Sequence, residues 1–183
     1  MLNLSVSTFL LLASGGALAH SGHSTDGFAS GVLHPFLGAD HLLAMLAVGF
    51  LAVRLGGGRR WLLPAAFVGF MGLGAFVPLP HVEPVIAISL LVLGVAIAVA
   101  ARFDAWLGAV LVAAFALYHG QAHFAEIPAG QSAAAFAAGM LLATASLHLS
   151  GMLAALQLAR LGAWLPRAFG AATALTGAWF LVA

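Results

Sequence analysis

The chain has 183 residues and a net charge of +1; 63% of its residues are hydrophobic, only 6% are charged, and the mean hydropathy is +1.12. Because a soluble domain carries roughly 25% charged residues, this composition predicts a protein whose main solvent is lipid, and the lack of a basic surface excludes a nucleic-acid binder. The sequence has no cysteine, which excludes disulfide bonds, iron–sulfur clusters and thiolate metal sites.

The first apolar run, residues 4–19, has the features of a secretory signal peptide. It ends with Ala17-Leu18-Ala19, a small-x-small cleavage pattern, and the polar segment His20-Ser21-Gly22-His23 follows. Residues 1–7 lack the usual positive side chain, which leaves a retained helix as the alternative. We therefore predict a cleaved signal peptide at residues 1–19 and one transmembrane domain at residues 20–183.

Six further runs approach the roughly 20 apolar residues that a helix needs to cross a bilayer. Glycine and proline separate them, at residues 56–58, 78–80, 128–130 and 162. The runs cover residues 28 or 35 to 53, 61–77, 84–101, 105–123, 132–158 and 164–182. The sequence therefore predicts an all-α, polytopic membrane bundle of six transmembrane helices.

The arginines orient this bundle, because cytoplasmic loops of membrane proteins carry an excess of positive side chains. With the mature N-terminus outside, all six fall on the cytoplasmic side: Arg54, Arg59, Arg60, Arg102, Arg160 and Arg167. We predict a bacterial inner-membrane protein, embedded in the lipid bilayer, with both termini in the periplasm. Composition leaves open whether it forms a homo-oligomer.

A first histidine motif, His34-Pro35-Phe36-Leu37-Gly38-Ala39-Asp40-His41, opens the first predicted span. Pro35 suits the first turn of a helix, where its missing N–H is not needed. On a helix that starts there, His34, His41 and Met45 share one face. Asp40 points away from that face, and we expect it to orient a histidine of a neighbouring helix. For His34 alone, a helix-capping or interfacial role is the alternative.

A second motif, in the fourth span, places two histidines and a carboxylate on one helical face. His119 and His123 are four residues apart and Glu126 is three residues further on, a spacing at which two imidazoles can bind one metal and the carboxylate can complete the site. At 1.5 Å per residue, His41 and His119 both come out roughly 9 Å below the outer surface. A site shared between the first and fourth spans is therefore geometrically possible.

The other candidate ligands are more isolated. His148, deep in the fifth span, is either a second stop on an ion path or a core histidine bonded to a hydroxyl. His20 and His23 would open the mature chain as metal-capturing groups or as a polar tail. His81 and Glu83, between two prolines, form either an outer vestibule or an ordinary polar loop.

The distribution of these groups indicates a cation path. Seven of the eight histidines and four of the five acids lie on or near the predicted outer side, where no arginine opposes a cation. Imidazole and carboxylate ligands suit nickel, cobalt, zinc and copper better than magnesium or calcium. We therefore predict a transition-metal ion as substrate, with no permanent cofactor.

The same motifs resemble those of HupE/UreJ-type hydrogenase and urease accessory permeases. The resemblance lies in the run from His34 to His41 with Met45 and Val48-Gly49, in His119-Gly120-Gln121-Ala122-His123 with Glu126, and in the stretch from Thr144 to His148 with Gly151. It covers essentially the whole chain. It implies six spans after a signal peptide and uptake of nickel, or in some members cobalt, for hydrogenase or urease maturation.

Two other functions fit some of the histidines. Paired histidines on different helices can ligate haem iron, so a bis-histidine membrane haem protein is the alternative to a permease. A zinc hydrolase would need a glutamate after the first histidine of the second motif, where this chain has Gly120. We therefore predict a transporter and not an enzyme.

Overall fold

The computed structural model describes residues 26–183, and the regular elements in this range are helices. Seven are α-helices: Asp26–Leu33 (α1), Ala39–Leu55 (α2), Leu62–Gly74 (α3), Val82–Ala98 (α4), Ala105–Ala125 (α5), Ala133–Leu161 (α6) and Trp164–Val182 (α7). Two 3-10 turns, His34–Phe36 and Gly57–Trp61, connect α1 to α2 and α2 to α3. The predicted signal peptide, His20 and His23 lie outside the described residues.

Part of this helical structure is long and apolar enough for a membrane. Within the described range, α5 and α6 each meet the length and hydropathy of a spanning helix, with 21 and 29 residues. A third span results if residues 27–36 and α2 are taken together as one broken helix, bent by 80°. The all-helical class is confirmed, and the count of six spans stays a prediction.

The first predicted span is not one continuous helix, so its expected start at Pro35 is wrong. Pro35 lies in a 3-10 turn, and α2 begins only at Ala39. Gly38 separates the two with an extended backbone at φ −105° and ψ 124°, which ends the helical hydrogen bonding. His34 therefore precedes the break and does not share a face of α2 with His41 and Met45.

The helices pack in close pairs, α1 and α2 on α6, α3 on α5, and α4 on α7. In the α2–α6 pair, glycines let the two backbones approach closely. A Cβ atom on Gly49 would collide with the carbonyl oxygen of His148, and one on Gly151 with the carbonyl oxygen of Leu46. Small residues permit this backbone contact between membrane helices. Gly170 and Gly177 of α7 likewise lie against the backbone of α4.

The connections at the two ends of the bundle differ in charge. Arginines lie at one end, where α2 meets α3, α4 meets α5, and α6 meets α7. At this end Asp104 caps α5, since its carboxylate accepts hydrogen bonds from the backbone of Trp106 (2.9 Å) and Leu107 (3.1 Å). The histidine motifs lie towards the opposite end, which we call the histidine end.

Candidate metal site

A cavity of about 360 Å³ opens at the histidine end of the bundle. It is bounded by the break before α2, the start of α4 and the end of α5. Its polar lining consists of His34, Asp40, His41, Glu83, His123 and Glu126. Three imidazoles and three carboxylates thus face one space, although they come from separate parts of the sequence.

Four imidazoles form a chain of ring contacts that begins at this cavity, in the order His34, His123, His41 and His119. The ring centroids of His41 and His123 are 4.3 Å apart, those of His41 and His119 are 5.3 Å apart, and those of His34 and His123 are 4.9 Å apart. We call these four residues the histidine cluster. His119 and His123 are almost completely buried, at 0% and 1% exposure. The structure therefore brings together the histidines of the first and second motifs.

Hydrogen bonds fix which ring nitrogen carries the proton in three histidines, of which His119 and His148 are buried and His41 is partly buried. The Nδ1 atoms lie 2.8 Å from Asp40 Oδ1 in His41, 3.0 Å from the Phe115 carbonyl oxygen in His119, and 2.8 Å from the Met45 carbonyl oxygen in His148. Because these oxygens only accept, each Nδ1 donates, and the Nε2 atom of the neutral ring keeps a free lone pair. Metal-binding histidines are oriented in this way.

These lone pairs have no hydrogen-bond partner among residues 26–183. Six buried side-chain atoms of the described residues lack a hydrogen bond, and five of them are histidine nitrogens: Nε2 of His41, His119 and His148, and both ring nitrogens of His123. An unsatisfied buried polar group costs roughly 1–3 kcal/mol. In each neutral ring one nitrogen carries the proton, so His41, His119, His123 and His148 each offer one lone pair that a cation could accept. The protonated nitrogen of His123 needs an acceptor instead.

The rotamers present do not gather a complete coordination set. Within residues 26–183, no three side chains of histidine, aspartate or glutamate are placed to hold one ion together. The contacts between His41 and its two neighbours on α5 are nevertheless close. Coordination of one ion by all three would therefore require at least one ring to rotate.

Asp40 has a different partner from the one expected from the sequence. Its carboxylate orients the adjacent His41, accepting from both the ring Nδ1 and the backbone N–H at 2.8 Å, and not a histidine of another helix. The preceding Gly38 leaves room for this pair. A Cβ atom there would lie 2.7 Å from Asp40 Oδ1 and 3.0 Å from His41 Nδ1.

We expect Asp40→Asn to lower the affinity of the purified protein for nickel(II) by about tenfold. Loss of a carboxylate that orients a metal-bound histidine typically lowers metal affinity 10- to 100-fold. Isothermal titration calorimetry would measure this change. Asp104→Asn is the control, because Asp104 caps α5 outside the cavity. Equal losses in both variants would contradict an orienting role for Asp40.

The remaining carboxylates, Glu83 and Glu126, are exposed side chains that line the cavity. Glu126 was expected to join His119 and His123, but it lies just beyond the end of α5, is 62% exposed, and pairs with His34 at 3.0 Å. Glu83 lines the cavity. Its neighbour His81 is exposed in a left-handed turn before α4, with φ 56°, and does not line the cavity.

His148 lies deeper, beyond an aromatic side chain that the sequence did not single out. The core-histidine alternative assumed a hydrogen bond from His148 to a hydroxyl. In the structure, the Nδ1 atom of His148 bonds to the Met45 carbonyl oxygen instead. The ring of Phe67 contacts both His119 (5.3 Å) and His148 (5.0 Å). The Thr144 hydroxyl, also on α6, lies 3.4 Å from the Met45 sulfur. No sequence signal distinguishes Phe67 from the other 12 of the 13 phenylalanines.

Comparisons with known proteins agree with the resemblance of the motifs. The family described as HupE / UreJ protein matches residues 8–180. Protein HupE of Rhizobium leguminosarum bv. viciae is 41% identical over 172 residues, which is 91% of this chain and 90% of that protein. No solved structure matches the chain.

Proposed function

This chain belongs to the HupE/UreJ family, and we propose that it imports nickel(II), with cobalt(II) as the alternative substrate, across the bacterial inner membrane. The imported ion would supply maturation of a hydrogenase or urease. The observation that carries the proposal is the set of five buried histidine nitrogens that have no hydrogen-bond partner in the described part of the chain. Ionisable groups inside a membrane protein are costly, and they usually mark an ion pathway.

The proposed path begins at the cavity of the histidine end. Its carboxylates attract a hydrated cation, and the ion exchanges water for imidazole nitrogen as it meets His41, His119 and His123. Imidazole suits nickel, cobalt, zinc and copper, which argues against magnesium and calcium as substrates. No single site may hold the ion too tightly, because conduction requires release. A set of ligands that assembles only when a ring rotates suits this requirement.

His148 is the proposed inner stop of the path. Its Nε2 atom is buried and unpartnered, and the ring of Phe67 separates it from His119. We propose that the ion passes Phe67 beside the contact of Thr144 with Met45. Because the phenyl ring of Phe67 has no lone pair to offer as a ligand, the ion would not stay beside it and would move on to His148.

The proposed topology has six spans and periplasmic termini, after removal of the signal peptide. The first span is the broken segment of α1 and α2, and α3 to α7 are the others. Two features support it: the arginines gather at one end, as the positive-inside rule requires, and the helix break borders the polar cavity. Irregular backbone at membrane depth is tolerated where it lines a cavity.

Uptake of radiolabelled nickel(II) tests the proposal, in cells that lack their own nickel transporters. We expect the intact chain to restore uptake and His41→Ala to reduce it by about tenfold at equal membrane levels, because the variant removes a lone pair that faces the cavity. His81→Ala is the matched control, since His81 is exposed and lies outside the cavity.

Two outcomes would contradict this function. If the well-expressed intact chain takes up neither nickel nor cobalt, the permease proposal is wrong, and a Soret band in the purified protein would then favour the haem alternative. If His41→Ala and His81→Ala transport equally well, the path does not pass through the histidine cluster.

A further inference from the structure

A second polar cavity lies at the arginine end, and none of its lining residues belongs to the histidine cluster. It has a volume of about 530 Å³ and is lined by the side chains of Arg54, Arg59 and Arg102 together with Asp104. Arg54 and Arg59 come from the end of α2 and the 3-10 turn that follows it, and Arg102 comes from the loop between α4 and α5. Separate parts of the chain thus direct three positive charges to one space.

Within the part of the chain that the structure describes, no ion pair neutralises these three arginines. The two ion pairs formed between described residues both involve histidine, and none involves these arginines. The one carboxylate in the cavity, that of Asp104, already accepts the backbone N–H groups of Trp106 and Leu107. The cavity therefore fits an anion, and guanidinium groups are well suited to bind phosphate.

An apolar groove continues from this cavity. It has a volume of about 200 Å³, and the two spaces share the lining residues Ala101 and Phe103. Its lining contains only apolar residues from α2 to α5 and the loop before α5, among them Leu51, Leu93 and Val112. An anion site joined to a hydrocarbon slot matches a molecule with a phosphate head and an acyl chain.

The surroundings of the two spaces agree with a position at a membrane surface. Trp61 and Trp106 flank the arginine cavity in sequence and are 46% and 69% exposed. Tryptophan is enriched at the level of lipid headgroups, and basic pockets between membrane helices bind anionic headgroups on the cytoplasmic side. A free phosphate would use the arginines but would leave the adjoining groove without a function.

We propose that this cavity and groove together bind one anionic phospholipid, with its phosphate among Arg54, Arg59 and Arg102 and an acyl chain along the groove. The bound lipid joins the α2–α3 connection to the α4–α5 loop and relieves the mutual repulsion of the arginines. Binding should therefore raise the thermal unfolding temperature of the protein.

The test measures phosphatidylglycerol binding to the purified full-length protein in a neutral detergent, by native mass spectrometry and by thermal unfolding. For Arg59→Gln with Arg102→Gln we expect affinity to fall by about 30-fold, which corresponds to about 1 kcal/mol for each arginine near a lipid surface. Arg60→Gln with Arg160→Gln is the matched control, because it removes the same charge at the same end but outside the cavity lining. Its affinity should be unchanged.

Further arms separate the lipid from other occupants. Phosphatidylcholine should bind much more weakly than phosphatidylglycerol, and inorganic phosphate should not raise the unfolding temperature. Ala96→Phe, which fills the groove, should weaken lipid binding although it changes no charge. Equal binding of both lipids, stabilisation by phosphate alone, or equal loss in the two double variants would each overturn the proposal.

Discussion

Purified protein with both His119→Gln and His123→Gln is expected to bind nickel(II) at least about 100-fold more weakly than the intact chain. The double variant removes three of the five unpartnered buried nitrogens, and both residues contact His41. Loss of a hydrogen bond that orients a metal-bound histidine lowers metal affinity 10- to 100-fold. Loss of two ligands should therefore lower the affinity by more than that. Isothermal titration calorimetry measures the affinity.

The controls for this variant separate lost ligands from lost structure. Glutamine is close to histidine in size, so the unfolding temperature of the double variant should stay near that of the intact chain. His81→Gln should bind nickel normally, because His81 is exposed beyond the cavity. Normal affinity in the double variant, with its fold intact, would place metal binding elsewhere in the chain.

The second large effect is expected for Gly49→Leu, which should disrupt the contact of α2 with α6. Any side chain at this position meets the backbone of His148, Gly151 and Met152, which cannot move aside as a flexible side chain does. Forced overpacking costs about 1–3 kcal/mol or more, and we expect a loss of about 3 kcal/mol. The unfolding temperature in detergent should then fall by about 6 to 12 °C.

Gly69→Leu is the matched control for this variant. Gly69 also lies in a helix, but it is exposed and a Cβ atom there has no neighbour within 4 Å. The hydrogen bond from His148 on α6 to the Met45 carbonyl on α2 spans this contact. Because His148 is the proposed inner stop of the ion, Gly49→Leu should also abolish nickel uptake. Equal unfolding temperatures for the two variants would show that the close approach of α2 and α6 does not stabilise the fold.

Much of the fold could be predicted from composition and from runs of apolar residues. A chain with 6% charged residues cannot cover a water-facing surface, and in lipid its backbone groups must pair within helices. Glycine and proline marked most helix boundaries to within a few residues. The break at Gly38 was missed, because proline in a first turn fits a continuous helix equally well.

The residue types of the candidate site were also present in the sequence. Histidine spacing on α5 and the motif before α2 indicated that His41, His119 and His123 could meet, and their rings are in contact. Spacing cannot determine which acceptor each histidine finds, since that depends on rotamers and on helices that are distant in sequence. Asp40 was thus expected to contact a histidine of another helix but contacts His41, and Glu126, expected beside His119 and His123, contacts His34.

The sequence by itself determined that this chain has the composition of a helical membrane protein, and that its histidines and arginines lie towards opposite ends of the helices. These properties follow from composition and from the order of residues along each apolar run. Only the tertiary structure decided that His148 donates to the Met45 carbonyl, that Phe67 lies between two histidines, and that five histidine nitrogens are left unpartnered. Those features depend on backbone contacts between helices, such as the one at Gly49. Such contacts join residues about 100 positions apart.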